Sequence, residues 1–344
     1  MPQPLTARTP AARLLTAALL GGLLTACVPA PMAFDPNRIP APDDLGAKNA
    51  ATEWWYLSGN LPDSGVAFHW AQFKVNYRGL PYHASHVAVT DLRTGQVNFV
   101  ENSAQQARFG FPPLRVEQGD WKLTQEGGLY RLRAGPLNLT LTPVKPAVVH
   151  PPGYSGTPEL GRLYYQSITR LDARGTVQIG AETREVRGQV WFDHQWGDQQ
   201  PGAQAKWDWF GLHLSDGSDL MLYRVRDAGG RVAQLAASLV DPQGRARELR
   251  GVQMTPKRTW KSASGRDYVL DWEVQAEGLT LTLAAQSDNH ELLSKTTSVA
   301  YWEGPVAGQG TLNGAPITAR GMGEFVAGVL RPGEGGLIPI PGSR

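Results

Sequence analysis

Leu137-Asn138-Leu139-Thr140-Leu141 alternates apolar and polar side chains, the pattern of a strand with one face buried and the other wet. The same period of two returns in Val66-Ala67-Phe68-His69-Trp70, Leu220-Met221-Leu222-Tyr223 and Leu279-Thr280-Leu281-Thr282-Leu283. Turn signals separate such runs at short intervals: Arg78-Gly79, Thr94-Gly95, Gly127-Gly128, Arg174-Gly175, Asp216-Gly217, Gly229-Gly230, Gly265 and Asn313-Gly314. No window of a dozen residues carries a helical apolar stripe with caps. Because so many strands exceed what one open antiparallel sheet comfortably holds, the sequence predicts an all-β chain closed into barrels or packed sheets.

The two halves begin and end alike. Trp54-Trp55-Tyr56 runs on to Leu61-Pro62-Asp63-Ser64-Gly65, as Trp207-Asp208-Trp209-Phe210 runs on to Leu214-Ser215-Asp216-Gly217. Tyr164-Tyr165-Gln166-Ser167 leads to Arg187-Gly188-Gln189-Val190-Trp191-Phe192, and Tyr301-Trp302-Glu303-Gly304 leads to Arg320-Gly321-Met322-Gly323-Glu324-Phe325. Two matches in the same order imply two related β-barrel domains, split between about Gly197 and Trp207.

At the N-terminus, Arg8 and Arg13 precede an apolar run from Leu14 to Leu24, too short to cross a bilayer as a helix and suited to a signal peptide. It ends Leu24-Thr25-Ala26-Cys27, small residues leading into the only cysteine of 344 residues. This is the pattern at which bacteria attach lipid to the thiol, so Cys27 is the expected lipidation site and no disulfide can form within the chain. Residues 27–50 are rich in Pro and Ala and predict an extended tether. Of 33 basic residues two lie in the leader, which leaves 31 against 31 acidic ones. That balance argues against a nucleic-acid partner. The expected organisation is a signal peptide 1–26, tether 27–50, domains 51–200 and 205–330, and a tail 331–344. The expected place is the cell envelope, outside the cytoplasm; Val28 after the cysteine favours an outer membrane where one exists.

Four of the eleven tryptophans fall between Trp191 and Trp209, interleaved with Asp193, His194 and Asp208. Indoles beside a few polar groups suggest a pocket with apolar walls. A carboxyl group there would be pushed towards its protonated form by desolvation, and an adjacent imidazole would pull it back. A purely structural junction between domains also favours tryptophan, and both readings stand at this level. Asp193, His194 and Asp208 are the candidate catalytic groups. Trp191, Trp196, Trp207, Trp209, Tyr223, Glu53 and Trp55 are candidate ligand contacts, Glu53 also fitting a structural role. His83 and His86 are three apart, which on a strand sends them to opposite faces and argues against shared metal ligation. No metal, phosphate-loop or Gly-x-Ser-x-Gly pattern stands in the sequence, and Gly153-Tyr154-Ser155-Gly156 is expected to be a loop.

Glu53-Trp54-Trp55-Tyr56-x-x-Gly59, His86-Val87-Ala88-Val89-Thr90-Asp91, Gly188-x-x-Trp191-Phe192-Asp193-His194-x-Trp196-Gly197, Trp207-Asp208-Trp209-Phe210-Gly211-Leu212 with Leu220 to Arg224, and Gly321-x-Gly323-Glu324 together resemble the AttH/CrtC family. The resemblance covers roughly residues 50 to 328 and implies two tandem lipocalin-like barrels. One branch of that family, the carotenoid 1,2-hydratases, adds water to a terminal isoprenoid double bond without a cofactor. In that branch an Asp, a His, a Trp and a Tyr are implicated. His194 and Trp196 fall on the matching motif, with Asp193 or Asp208 as the acid and Tyr223 as a partner. Val225 stands where the hydratase acid would be sought, a departure from the branch pattern; other members are described as secreted hydrolases or as proteins associated with ABC transporters. The expectation is therefore an envelope lipoprotein that binds an isoprenoid or acyl lipid and acts as a cofactor-free hydratase or hydrolase. The alternative is a non-catalytic carrier accessory to an ABC transporter.

Overall fold

The computed structural model describes residues 30–77, 79–200 and 205–337. The signal peptide, Cys27 with its expected lipid, Arg78 of one expected turn, residues 201–204 between the halves and residues 338–344 of the expected tail lie outside the described residues. Among those described, the only helical element is a 3-10 turn at Pro62–Ser64. The all-β class and the two lipocalin-like barrels are what the chain adopts.

The first half holds β1 (Thr52–Leu61), β2 (Val66–Tyr77), β3 (Leu80–Asp91), β4 (Gln96–Ala104), β5 (Arg108–Gly110), β6 (Arg115–Gln118), β7 (Trp121–Glu126), β8 (Leu129–Ala134), β9 (Leu137–Pro143), β10 (Val148–Thr157), β11 (Gly161–Ile179) and β12 (Glu182–Gly197). The second holds β13 (Lys206–Leu214), β14 (Asp219–Arg226), β15 (Val232–Val240), β16 (Ala246–Glu248), β17 (Gln253–Lys261), β18 (Asp267–Ala276), β19 (Leu279–Ala285), β20 (Glu291–Ser294), β21 (Val299–Leu312) and β22 (Ala315–Val329). The first sheet runs β4-β3-β2-β1-β12-β11-β9-β8-β7-β6-β5 with β10 beside β11; the second runs β16-β15-β14-β13-β22-β21-β19-β18-β17 with β20 beside β21. One order maps onto the other, so each half is a copy of the same curled antiparallel sheet.

Strand alternation then decides what each residue faces. In β9 and β19 burial alternates with exposure, as their sequences predict. By contrast β1, the end of β12 and most of β13 are buried on both faces. One face of β1 and β12 sends Trp55, Leu57 and Phe192 into the first barrel's core, as Phe210, Trp272, Trp302 and Phe325 fill the second. The other face carries Tyr56, Trp191, Tyr165, Trp209, Tyr223 and Met322, a third apolar cluster that cements barrel to barrel.

A polar rivet adds to it. A register shift between Ile168 and Leu171 lets Thr169 and Arg170 reach across to Asp219 of the second barrel, at 2.9 and 2.6 Å. Lys145 and His213 bind the same carboxylate at 2.7 and 2.8 Å. Burial opposes the charge on Asp219, but the bonds from His213 and Arg170 outweigh it and hold its pKa at about 2.

Three expectations are corrected. Arg174-Gly175 is no turn but lies inside the 19-residue β11, where Gly175 is needed because a Cβ would collide with the Asn138 carbonyl oxygen of β9. Gly153-Tyr154-Ser155-Gly156 is no free loop but part of β10, which resumes its ladder with β11 after a register shift. Residues 30–50 form no helix or strand, yet they do not hang free. Leu45 is buried and its carbonyl accepts the Trp55 indole N–H at 2.9 Å; Phe34 stacks on Tyr164 with ring centroids 4.4 Å apart. Met32, Phe34 and Leu45 supply apolar anchors that the surrounding prolines conceal.

Candidate functional site

Between the two barrels, on the shared face rather than inside either core, lies a cavity of about 400 Å3. Trp54, Phe73, Trp207, Trp209, Tyr223 and Val225 form much of its apolar wall, and it reaches the rim beside Gln199 and Gln200. Set into these walls are the carboxyl groups of Asp193, Glu303 and Glu324 and the imidazoles of His69 and His86.

Asp193 projects from β12 beside Ser167 of β11 and Tyr56 of β1, its register partners. One oxygen, Oδ1, accepts the Trp191 indole N–H at 2.5 Å and the Ser167 hydroxyl; Oδ2 accepts the Tyr165 hydroxyl at 2.9 Å. The Tyr165 oxygen in turn accepts the Trp209 indole N–H at 2.7 Å, so both barrels steady the same acid. Burial pushes the Asp193 pKa up, the three donors pull it down, and the balance stands at about 7. Behind Ser167, His150 Nε2 lies within hydrogen-bond distance of its hydroxyl at 2.8 Å, and burial keeps that imidazole neutral, with its pKa down at about 3. The serine thus bridges Asp and His. In a nucleophilic triad the histidine would be the bridge.

The second barrel supplies a matching pair of acids. Tyr56 pairs with Asp193 across β1 and β12 as Trp209 pairs with Glu324 across β13 and β22, and Glu324 faces Glu303 on β21 as Asp193 faces Ser167 on β11. Glu303 Oε1 accepts the Tyr56 hydroxyl at 2.6 Å, and Glu324 accepts the Trp207 indole N–H at 3.2 Å. Burial above all, offset in part by the Trp207 bond and aided by the nearby Asp193 charge, raises Glu324 to about 7. Burial, and then the neighbouring Glu324, push Glu303 well above the carboxylate range. Burial drives His69 well below its usual range, with His86 adding to it, and brings His86 down to about 4 against the pull of Glu101. His69 Nδ1 comes within 3.2 Å of Glu303 Oε2, but out of line for a hydrogen bond.

A family match spans residues 33–328 under the description AttH-like. The chain belongs to the AttH-like family. Its fold is similar to that of a solved AttH protein from Nitrosomonas europaea, with 28% identity, 87% of this chain and 100% of that one covered, and a TM-score of 0.75. It is also similar in fold to kievitone hydratase from Nectria haematococca, at 18% identity, with 86% and 96% covered and a TM-score of 0.67. A third likeness is to CghA, at 13% identity, with 88% and 94% covered and a TM-score of 0.57. Comparison with curated proteins found no match.

Strand alternation divides the site residues expected from the sequence. Asp193, Trp207, Trp209 and Tyr223 line the cavity, and Trp191 lies just behind, bonded to Asp193. His194, next along β12, points the other way, into the first barrel. There its Nε2 donates to Glu53 at 2.9 Å, Gln166 donates to its Nδ1 at 3.1 Å, and its ring stacks between Trp55 and Trp196. Glu53 is bound further by Lys74 at 3.0 Å and by the Lys48 backbone N–H. This His194 group is sealed off from the cavity, so Asp193 and His194 do not form a dyad. Asp208 also faces away and is neutralised by Arg224 at 2.8 Å and Arg226 at 3.0 Å. His83 and His86 do sit on opposite faces: His83 packs on Phe109 while His86 lines the cavity. Ser167, His69, Glu303 and Glu324 belong to the site and were not singled out as such by sequence. The signal for Glu324 was the internal repeat, read two residues out of register: the matched segments align Trp191 with Glu324, whereas the ladders align Asp193 with it.

Proposed function

We propose that this protein binds an apolar, alkene-bearing ligand of the isoprenoid or acyl-lipid class in the cavity between its barrels and hydrates it, with Asp193 as the acid. The observation that carries this is a buried carboxyl group poised near neutrality in an aromatic-walled cavity. The protonated Asp193 gives its proton to one alkene carbon as the π bond breaks, leaving a cation on the other carbon. The oxygen of a water molecule then bonds to that carbon, and the extra proton of the resulting oxonium returns to Asp193. Trp191, Ser167 and Tyr165 stabilise the carboxylate while the proton is away. The aromatic rings of Trp54, Trp209 and Tyr56 in the cavity wall suit a transient cation.

Hydration suits the site better than hydrolysis through a serine nucleophile, because the Ser167 hydroxyl donates to Asp193 and the neighbouring His150, with its pKa down at about 3, is too weak a base to activate it. Likeness to kievitone hydratase supports this reading at the level of fold alone. The test is to incubate purified protein with isoprenoid alkenes in H2 18O and analyse products by mass spectrometry. Uptake of one labelled oxygen by the parent, absent in Asp193→Asn, is expected. Retained ligand without label uptake by the parent would instead leave the non-catalytic carrier.

A further inference from the structure

The cavity also has the means to discriminate among apolar ligands, an inference that rests on its being a ligand site. Two polar groups in its wall have no hydrogen-bond partner among the described residues: the Tyr223 hydroxyl and the His69 ring, on residues 4% and 1% exposed. Buried orphans of this kind give up their water without recompense, so native structures seldom leave them without a purpose. The Tyr223 hydroxyl can donate or accept. A neutral imidazole offers one donor and one acceptor, which suits a hydroxyl or a carbonyl oxygen. The other imidazole, His86, is already bonded to Tyr301 at 3.1 Å and Thr296 at 2.8 Å.

Charge works in the opposite sense. Asp193, Glu303 and Glu324 all open onto this space, and the one cation among its described lining residues is Lys206. Alternation along β13 puts Lys206 on the side of Asp208, away from Trp207 and Trp209. A ligand carboxylate would therefore lose its water, meet the carboxylates of Asp193 and Glu324 and find no facing ammonium or guanidinium group.

We propose that the cavity takes a neutral apolar molecule bearing a hydroxyl or carbonyl oxygen, held by Tyr223 and His69, and rejects the carboxylate of the same skeleton because Asp193 and Glu324 face it. Retinol and retinoate form a matched pair of probes. Their binding to the purified full chain at pH 8 can be read from energy transfer out of the wall tryptophans. Retinol is expected to bind at least about tenfold more tightly than retinoate. Glu324→Gln strengthens retinoate binding and narrows the gap by about threefold or more, with Asp193→Asn as an independent check if that variant does not fold. Tyr223→Phe, which deletes only an unpartnered hydroxyl, weakens retinol by about fivefold and leaves retinoate unchanged. Equal affinities in the parent, or a gap that neither Glu324→Gln nor Asp193→Asn narrows, overturn the selectivity and leave the ligand site standing. If neither probe binds, the ligand site falls with it.

Discussion

Asp193→Asn separates the charge of the cavity acid from its shape. The substitution keeps the size of the side chain and an oxygen to accept from Trp191 and Ser167, but it cannot ionise. In the parent, folding raises the Asp193 pKa from 3.8 to about 7. A group raised in this way favours the folded state fully only below its unfolded pKa, and that contribution drains away as pH rises through the folded value. Between pH 5 and pH 9 the two pKa values make the parent lose about 3 kcal/mol relative to a protein with a neutral group at this position. Urea unfolding of both proteins at the two pH values measures this, because most other titrations cancel in the difference. Glu324, which senses the Asp193 charge, moves the result in the same direction. The Asn variant should gain on the parent by about that amount at the higher pH. A stability difference that is the same at pH 5 and pH 9 would show that Asp193 is not held near neutrality, and the acid role would go with it.

Replacing His194 with Ala removes a ring stacked between two indoles and bonded to Glu53 and Gln166, and should cost about 3 kcal/mol of stability. Turnover or ligand binding per folded molecule should be unchanged, and a fall in either at a temperature where the variant is fully folded would return His194 to the site. Gly175→Ala forces a methyl group against the Asn138 carbonyl in mid-sheet and should lower stability by about 1–3 kcal/mol, visible as a drop in Tm. An unchanged Tm would mean the long β11–β9 ladder is looser than its register implies.

The fold was legible because its signal is local and repeated. Leu137 to Leu141 and Leu279 to Leu283 spell out strands one at a time, and the Trp54 and Trp207 segments fall on equivalent strands of the two sheets. The closing repeat was seen but set slightly out of step, because register shifts in β11 and near Tyr301 insert residues that a matching of letters passes over. The site was only half legible for a related reason. Asp193 and His194 look like partners on paper, but a pleat sends neighbours to opposite faces, and that rule, applied to His83 and His86, applies equally to them. Asp208 could not be set aside without knowing that Arg224 and Arg226 of the next strand lie against it. Glu324 senses Asp193, and Glu303 accepts from Tyr56, only because the two barrels close on one another, a relation no local pattern carries.

The seating of the N-terminal segment on the first barrel shortens any leash. The Ala30 carbonyl is held by the Asn49 side chain at 2.8 Å, and three residues beyond Asn49 the Thr52 hydroxyl is bonded to the Gln199 carbonyl at the cavity mouth. Only two residues separate position 27 from Ala30, a reach of about 10 Å at full stretch. An acyl group on Cys27 would therefore moor the mouth close to the headgroups of its own bilayer. A greasy guest could then pass between membrane and protein with little travel through water.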